Sequence, residues 1–170
     1  MPLKKRSDLA SKIIYGKLKN QLNLIKYYHK YYKNTCDSLN VVYEDVVGRM
    51  MVLIKQVKNY KGVTDGYKSE IMGIEVSGAN LYWGYIKELL ADDDVGFLFR
   101  ERKGATDLVN SMLNYGYSIL YARIWRELLK RKLNPTDSVI FYPCCLNCYA
   151  KIEYVLLNNE RKPGPMVVMI

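Results

Sequence analysis

Histidine is nearly absent from this sequence, since His29 is the single example among 170 residues. Catalysis by a serine, threonine or cysteine nucleophile usually depends on a neighbouring histidine, and no residue pattern here supplies one. Cysteine is also sparse, with four residues, and no second Cys/His pair follows Cys145 and Cys148 to complete a structural zinc site. The composition therefore argues against both kinds of site.

Long apolar runs are missing as well. No stretch approaches the roughly 18 apolar residues of a membrane-spanning helix, and Met1 to Ser11 lacks the apolar segment of a secretory signal peptide. Gly62 and Gly66 are not followed by the Lys-Ser/Thr pair of a phosphate-binding loop. These absences predict a soluble intracellular protein with no membrane-spanning segment.

Acidic residues are in short supply relative to basic ones. Seventeen Asp and Glu stand against 26 Lys and Arg, which gives a formal charge of +9 and a pI near 9.3. The excess is greatest from Met1 to Asn34, where Asp8 is the single acid and tyrosines alternate with lysines. Lysine can neutralise phosphates and tyrosine can stack on bases, so the segment suits nucleic acid first and an anionic membrane surface second. A solvated helix face with tyrosines packed beneath it explains the same pattern, and both interpretations stay open.

The apolar residues recur mostly at three- and four-residue steps, which predicts an all-α fold of about four principal helices. No strand pattern of comparable length precedes Pro135. Ser7 is the expected N-cap of the first helix, and Val41 and Met112 are among the residues expected to face the core. The predicted helices are Ser7 to Asn34, Asp37 to about Asn59, a third through Ile71 to Leu90, and Leu108 to about Lys132, capped by Thr106 or Asp107.

Glu75 is the only charged residue between Ile71 and Trp83. A carboxylate in apolar surroundings is costly to desolvate unless a cation, an arginine or backbone donors receive it. Glu75 is therefore either a partnered structural charge or part of a site. Gly73 and Gly78 flank it and would each weaken an isolated helix by about 1 kcal/mol, so we expect another backbone or a nucleic-acid strand to come close there.

Three ordered segments carry a family resemblance. Gly16-Lys17-Leu18-Lys19-Asn20-Gln21 is similar to an early helix with the pattern K-x-x-N-Q, and Gly73-Ile74-Glu75 with Ala79, Tyr82 and Trp83 is similar to G-I-E-G-x-x-A-R-x-Y-W. The third segment is similar to an R-x-R connection, an Asp and an N-x-x-L-N-Y-G-Y helix, met here by Arg100, Arg102, Asp107, Asn110, Leu113, Asn114, Tyr115, Gly116 and Tyr117. Over about residues 7–135 the chain thus resembles the CRISPR-associated endonuclease/integrase, the metal-dependent subunit that inserts spacers during adaptation.

The resemblance implies a role for particular residues. Glu75 would be catalytic and would ligate Mg²⁺ or Mn²⁺, ions that prefer carboxylate oxygens. It further implies DNA as partner (protospacer and CRISPR repeat), a homodimer, a second adaptation-complex subunit, and the prokaryotic cytoplasm. The residues that would contact DNA are Lys17, Lys19, Asn20, Gln21, Arg100, Arg102 and Arg123, although a solvated basic face explains the arginines and lysines equally well.

The departures from the family pattern bear on activity. The family's N-terminal β-rich domain is missing from the match, and Phe141 stands near where a metal-binding His is expected. Asp137 and Glu153 lie in no matching acidic motif, so we expect a helical domain over 1–135 and a divergent or truncated tail over 136–170. The resemblance implies an incomplete metal-dependent endonuclease/integrase with little or no activity. The alternatives are a catalytically dead basic fragment that binds DNA or a partner, and a basic helical module in which Glu75 pairs with Lys or Arg.

Overall fold

Four helices make up the secondary structure of the part of the chain that the structure, a computed structural model, describes: residues 3–34, 37–62, 66–91, 96–101 and 104–132. They are α1 (Leu3–Tyr32), α2 (Asp37–Lys58), α3 (Tyr67–Leu89) and α4 (Leu108–Lys130). No strand occurs within these ranges, which confirms the all-α prediction. The expected tail over 136–170, with its cysteines and Phe141, lies outside the described residues and stays a prediction.

Helices α1, α2 and α3 form a bundle in which each packs against the other two. The ring of His29, near the end of α1, stacks on Tyr43 of α2 at 3.6 Å between centroids, and Tyr43 meets Tyr85, near the end of α3, at 6.5 Å. The end of α1 and the end of α3 therefore lie beside the start of α2. It follows that α1 and α3 run parallel to each other and antiparallel to α2.

The core of the bundle is built from the apolar stripes of these three helices. Its largest fully buried side chains are Ile14, Leu18, Ile25, Leu39, Met50, Val57, Tyr67, Ile71 and Tyr85. Two residues expected in the core are exposed instead: Val41 at 75% and Met112 at 66%. Val41 lies in the first turns of α2, and Met112 lies on a helix outside the bundle. The three- and four-residue spacing of apolar residues is therefore not enough to bury either side chain.

The N-cap expected at Ser7 is wrong, because α1 already begins at Leu3 and Ser7 lies buried within it. The Ser7 hydroxyl donates a hydrogen bond of 2.6 Å to the backbone carbonyl of Gly62, just after α2. A serine inside a helix can bond elsewhere when its side chain is not needed for capping. Ser7 therefore ties the start of α1 to the end of α2.

The cap expected for the fourth helix is confirmed at Asp107. Its carboxylate accepts a hydrogen bond of 2.7 Å from the backbone N–H of Asn110, which satisfies one of the free donors of the first turn of α4. Farther along α4, Ile124 and Leu128 form a small apolar cluster of their own with Leu120 and Tyr121. The helix thus has a core separate from that of the bundle.

Gly78 lies where α3 packs tightly against α1, whereas Gly73, for which the sequence also predicted a close approach, has no such neighbour among the described residues. A Cβ atom added at Gly78 would lie 2.2 Å from Cδ2 of Leu18, whereas one added at Gly73 would meet nothing within 4 Å. Leu18 is fully buried, so it could move aside only by repacking the core. The glycine at 78 therefore has a packing reason, and the one at 73 has none among its neighbours.

Alanine at these two glycines is expected to have opposite effects. Gly73→Ala should raise the free energy of unfolding by about 1 kcal/mol, because alanine favours the helix. Gly78→Ala should lower it, because overpacking costs about 1–3 kcal/mol and exceeds that gain. Urea denaturation followed by circular dichroism measures both. Equal stabilisation by the two substitutions would show that Leu18 yields without cost.

None of the helices in the described part of the chain is long and apolar enough to cross a membrane. Charged residues interrupt each of them. This agrees with the absence of an apolar run in the sequence.

Candidate functional site

The three segments singled out in the sequence meet on one side of α3. The first lies on α1, the second is the middle of α3 itself, and the third comprises Arg100 and the first half of α4. Lys17 joins the first segment to the second at Glu75, and Arg100 joins the third to the second at Trp83. Residues far apart in the sequence therefore contact α3 at two positions, Glu75 and Trp83.

Glu75 is buried on α3, with 6% of its surface exposed, and it is paired with a cation. Its Oε1 atom accepts a hydrogen bond from Nζ of Lys17, whose side chain is 21% exposed. Lys17 belongs to α1 and Glu75 to α3, so the ion pair bridges the two helices. The carboxylate thus has the partner that its apolar surroundings demand.

Lys17, which the family resemblance places among the residues that contact DNA, is thus paired with Glu75 in the structure. Gln21 lies one helical turn beyond Lys17 on the same side of α1 and is also buried. Its Oε1 atom has no hydrogen-bond donor within the described ranges. Position 21 thus offers an unsatisfied oxygen in the interior, not a group that reaches outward to a phosphate.

The remaining predicted DNA contacts are distributed differently. Lys19 is exposed on α1, with Nζ 5.7 Å from the ring centroid of Tyr15, and Arg123 is exposed on α4. Asn20 is half-buried. Arg102 lies outside the described residues. Lys19 and Arg123 are therefore accessible to a partner, but they lie on different helices and the structure does not bring them together.

Arg100 is held inside a polar network that links the connection before α4 to its first turns. Its guanidinium donates to Oδ1 of Asn110 at 2.9 Å and to Oδ1 of Asn114 at 2.7 Å, and also to the backbone carbonyl of Glu101. The same guanidinium lies 5.9 Å from the ring centroid of Trp83 and 5.2 Å from that of Tyr117. Such contacts are typical of an arginine that fixes local structure.

Asn110 is the centre of this network, and it is completely buried. Its Nδ2 donates to the carbonyl of Phe99 at 2.8 Å and to Oδ2 of Asp107 at 2.6 Å, while its Oδ1 also accepts from the backbone N–H of Glu101 at 2.9 Å. The hydrogen bond from the backbone of Asn110, with that from its side chain, holds the pKa of Asp107 below its usual value. We call this group, together with Arg100 and Asn114, the Asn110 network.

Aromatic rings connect the network to the bundle. Trp83 lies 6.0 Å from Phe97 and 4.9 Å from Tyr82, measured between ring centroids. Burial raises the pKa of Tyr82, with a smaller contribution from the neighbouring Tyr117 of α4. The hydroxyl of Tyr82 therefore stays protonated and can serve as a hydrogen-bond donor but not as a base at neutral pH.

The described residues do not by themselves fit a divalent metal ion. Mg²⁺ and Mn²⁺ need several oxygen ligands, and nowhere in 3–34, 37–62, 66–91, 96–101 or 104–132 do three His, Cys, Asp or Glu residues come together in a possible metal site. Glu75 supplies one carboxylate, and the ammonium of Lys17 occupies one of its two oxygens. A metal at Glu75 would therefore require both further ligands and a displaced lysine.

Two features of the site were not predicted from the sequence. The pairing of Glu75 with Lys17 joins residues 58 positions apart, and no local spacing indicates which of many lysines reaches the carboxylate. Asn110 was recognised in a motif but not as the residue that organises the connection. A usable signal did exist for it, since Asp107 and Asn110 stand three apart at a helix start, where capping hydrogen bonds form.

Comparison with known proteins assigns relatives to the chain. The model of the family described as CRISPR associated protein Cas1 matches residues 2–143. A CRISPR-associated endonuclease Cas1 of Francisella tularensis subsp. novicida is 32% identical over 165 residues, which are 95% of this chain and 42% of that protein. One from Korarchaeum cryptofilum is 29% identical over 136 residues, 75% of this chain and 38% of that protein. The chain therefore spans less than half the length of these curated relatives.

Proposed function

Because this chain belongs to the CRISPR-associated Cas1 family, we propose that it acts in spacer acquisition as a DNA-binding helical region of an endonuclease/integrase. Its substrate would be DNA, both the protospacer and the CRISPR repeat. Its protein partners would be a second copy of itself, in a homodimer, and a second subunit of the adaptation complex. The cytoplasm of a prokaryote would be its location.

The assembly of the three matched segments around α3 is the observation that carries this proposal. Lys17 of the first segment pairs with Glu75, and Arg100 of the third lies over Trp83, so both segments contact the second one on α3. The family architecture is therefore supported by contacts, not only by similarity of sequence.

The surface that would receive DNA lies on the outer side of α1. Lysines recur there at intervals of seven residues, and all five are exposed: Lys5, Lys12, Lys19, Lys26 and Lys33. Seven residues are nearly two helical turns, so these lysines follow one side of α1 for about 42 Å, roughly the length of twelve base pairs. We call this row the lysine stripe. Only Lys12 is paired within the described part of the chain, with Asp8 at 2.9 Å.

Removing two charges from the lysine stripe is expected to weaken DNA binding and its salt dependence. Lys19→Gln with Lys26→Gln should lower the slope of log K against log salt by up to about 1.8, because each phosphate contact contributes about 0.9. Fluorescence anisotropy with a labelled duplex over a salt series measures the slope.

Lys55→Gln with Lys58→Gln is the matched control, since it removes the same charge from exposed lysines at the end of α2. Equal slopes for the two double variants would show that net charge, not the stripe, governs binding. No binding by the wild-type chain at low salt would contradict the proposed function itself.

Cleavage and strand transfer form a second candidate function, favoured by the buried carboxylate at the position where the family motif has its Glu. Mg²⁺ or Mn²⁺ would be the ion for that chemistry, with its other ligands supplied from outside the described residues. Incubation of the chain with branched DNA and either ion tests it, with Glu75→Gln as the control. Activity that the substitution abolishes would establish a nuclease, whereas salt-sensitive binding without cleavage supports the DNA-binding assignment.

A further inference from the structure

Three tyrosines at the end of α1 expose their rings to solvent. Tyr27, Tyr31 and Tyr32 are 56%, 61% and 47% exposed. The rings of Tyr27 and Tyr31 are 5.0 Å apart and tilted by 58°, and Tyr28 meets Tyr27 edge-on at 5.6 Å. We call Tyr27 and Tyr31 the tyrosine platform. The two rings form a continuous aromatic surface that no described part of the chain covers.

Lysines surround the platform without being neutralised. Lys26, Lys30 and Lys33 are all exposed, and no carboxylate in the described ranges forms an ion pair with any of them. Burial lowers the pKa of His29 at this end of α1, and the carboxylate of Glu44 on α2 opposes that shift without forming an ion pair with these lysines. The outer side of the last turns is therefore aromatic and positively charged.

The exposed rings have no role in the core that would explain them. Tyr28, on the inner side, already packs against the hydrophobic cluster, as does Tyr15 farther back along α1. Exposed aromatic residues in contact with one another are typical of binding surfaces, because each ring offers apolar area at little loss of side-chain freedom. The platform is also continuous with the lysine stripe, which ends at Lys26 and Lys33 on the same turns.

We propose that the tyrosine platform stacks the unpaired bases of a nucleic-acid strand whose phosphates lie on Lys26, Lys30 and Lys33. Duplex bases present only their edges, whereas unpaired bases present the faces that a tyrosine ring can stack upon. The lysines require a negatively charged partner, and the exposed rings favour the single-stranded part of a nucleic acid. This inference rests on the proposed DNA-binding function and adds to it a site for strand ends or openings, separate from Glu75.

The test compares single-stranded and duplex DNA on the same variants of the full chain. Tyr27→Ala with Tyr31→Ala should weaken binding of a labelled deoxythymidine strand by about tenfold or more, since stacking contributes about 1–3 kcal/mol per base. Binding of a labelled duplex should change little. Tyr27→Phe with Tyr31→Phe should retain strand binding, because the rings remain. Fluorescence anisotropy measures each dissociation constant.

Tyr115→Ala is the matched control, because that tyrosine is 72% exposed on α4, away from the stripe. Unchanged strand binding by the alanine double variant would overturn the proposal, as would an equal loss for strand and duplex. A wild-type chain that binds duplex but not single strand would overturn the platform alone, and one that binds neither would overturn the proposed function with it. Polyglutamate that competes with the strand and depends on the same tyrosines would identify an acidic protein as partner instead.

Discussion

Replacing Lys17 with methionine is expected to lower the free energy of unfolding by about 3 kcal/mol, because it leaves the carboxylate of Glu75 buried without a cation. The two side chains are 21% and 8% exposed, so water cannot replace the lost partner without opening the α1–α3 contact. Methionine keeps the apolar stem of the lysine, which confines the change to the charge. Urea denaturation followed by circular dichroism measures the loss.

Two further variants separate the ion pair from its surroundings. Lys19→Met on the exposed side of α1 should change stability by no more than about 0.5 kcal/mol. Adding Glu75→Gln to Lys17→Met should recover much of the loss, because no charge then remains buried. A Lys17→Met variant as stable as the wild type would show that Glu75 has another partner. Stabilisation of that variant by Mn²⁺, absent when Glu75→Gln is added, would show that a metal ion can take the place of the ammonium.

The second large effect is expected at Asn110. Asn110→Ala should lower the free energy of unfolding by about 3 kcal/mol, because it leaves the carbonyl of Phe99 and the N–H of Glu101, both partly buried, without the partner that the fully buried Asn110 provides. Arg100 also loses one of the acceptors that orient it over Trp83. Structure should be lost first in residues 96–101 and the first turns of α4, because the network holds these segments together and against the bundle.

Hydrogen exchange tests this locality. Amides of 96–101 and of the first turns of α4 should exchange faster in Asn110→Ala, while those of α1 to α3 keep their protection. Asn80→Ala, at an exposed position of α3, is the matched control and should change little. A uniform change across all four helices would instead show that α4 and the bundle unfold as one unit.

The sequence predicted the helices well because their signals are local. The end of α2 at Lys58 and the cap at Asp107 depend on neighbours within a few residues, and both predictions are confirmed. Ser7 failed for the complementary reason. Its residue type suits a cap, but its partner is the carbonyl of Gly62, 55 positions away, and this contact exists only once α1 and α2 have packed.

Of the candidate site, the sequence predicted that Glu75 needs a partner, but not which residue that partner is. Burial of Glu75 requires a partner, and that requirement was evident from its apolar neighbours. The identity of the partner depends on how α1 lies against α3, which is set by packing such as that of Leu18 on Gly78. The same holds for Arg100, which the family resemblance placed among the DNA contacts and whose guanidinium hydrogen-bonds to Asn110 and Asn114 in the structure.

The seven-residue interval of the lysine stripe bears on how fast a polyanion is captured. Successive lysines such as Lys19 and Lys26 are about 10.5 Å apart along the axis of α1, slightly more than the Debye length of about 8 Å at physiological ionic strength. At that salt concentration each charge attracts phosphates nearly on its own. In dilute salt, where the Debye length reaches about 30 Å, the five fields merge and can orient an approaching strand along α1 before contact. The spacing of the lysines should therefore affect the association rate more than the lifetime of the complex.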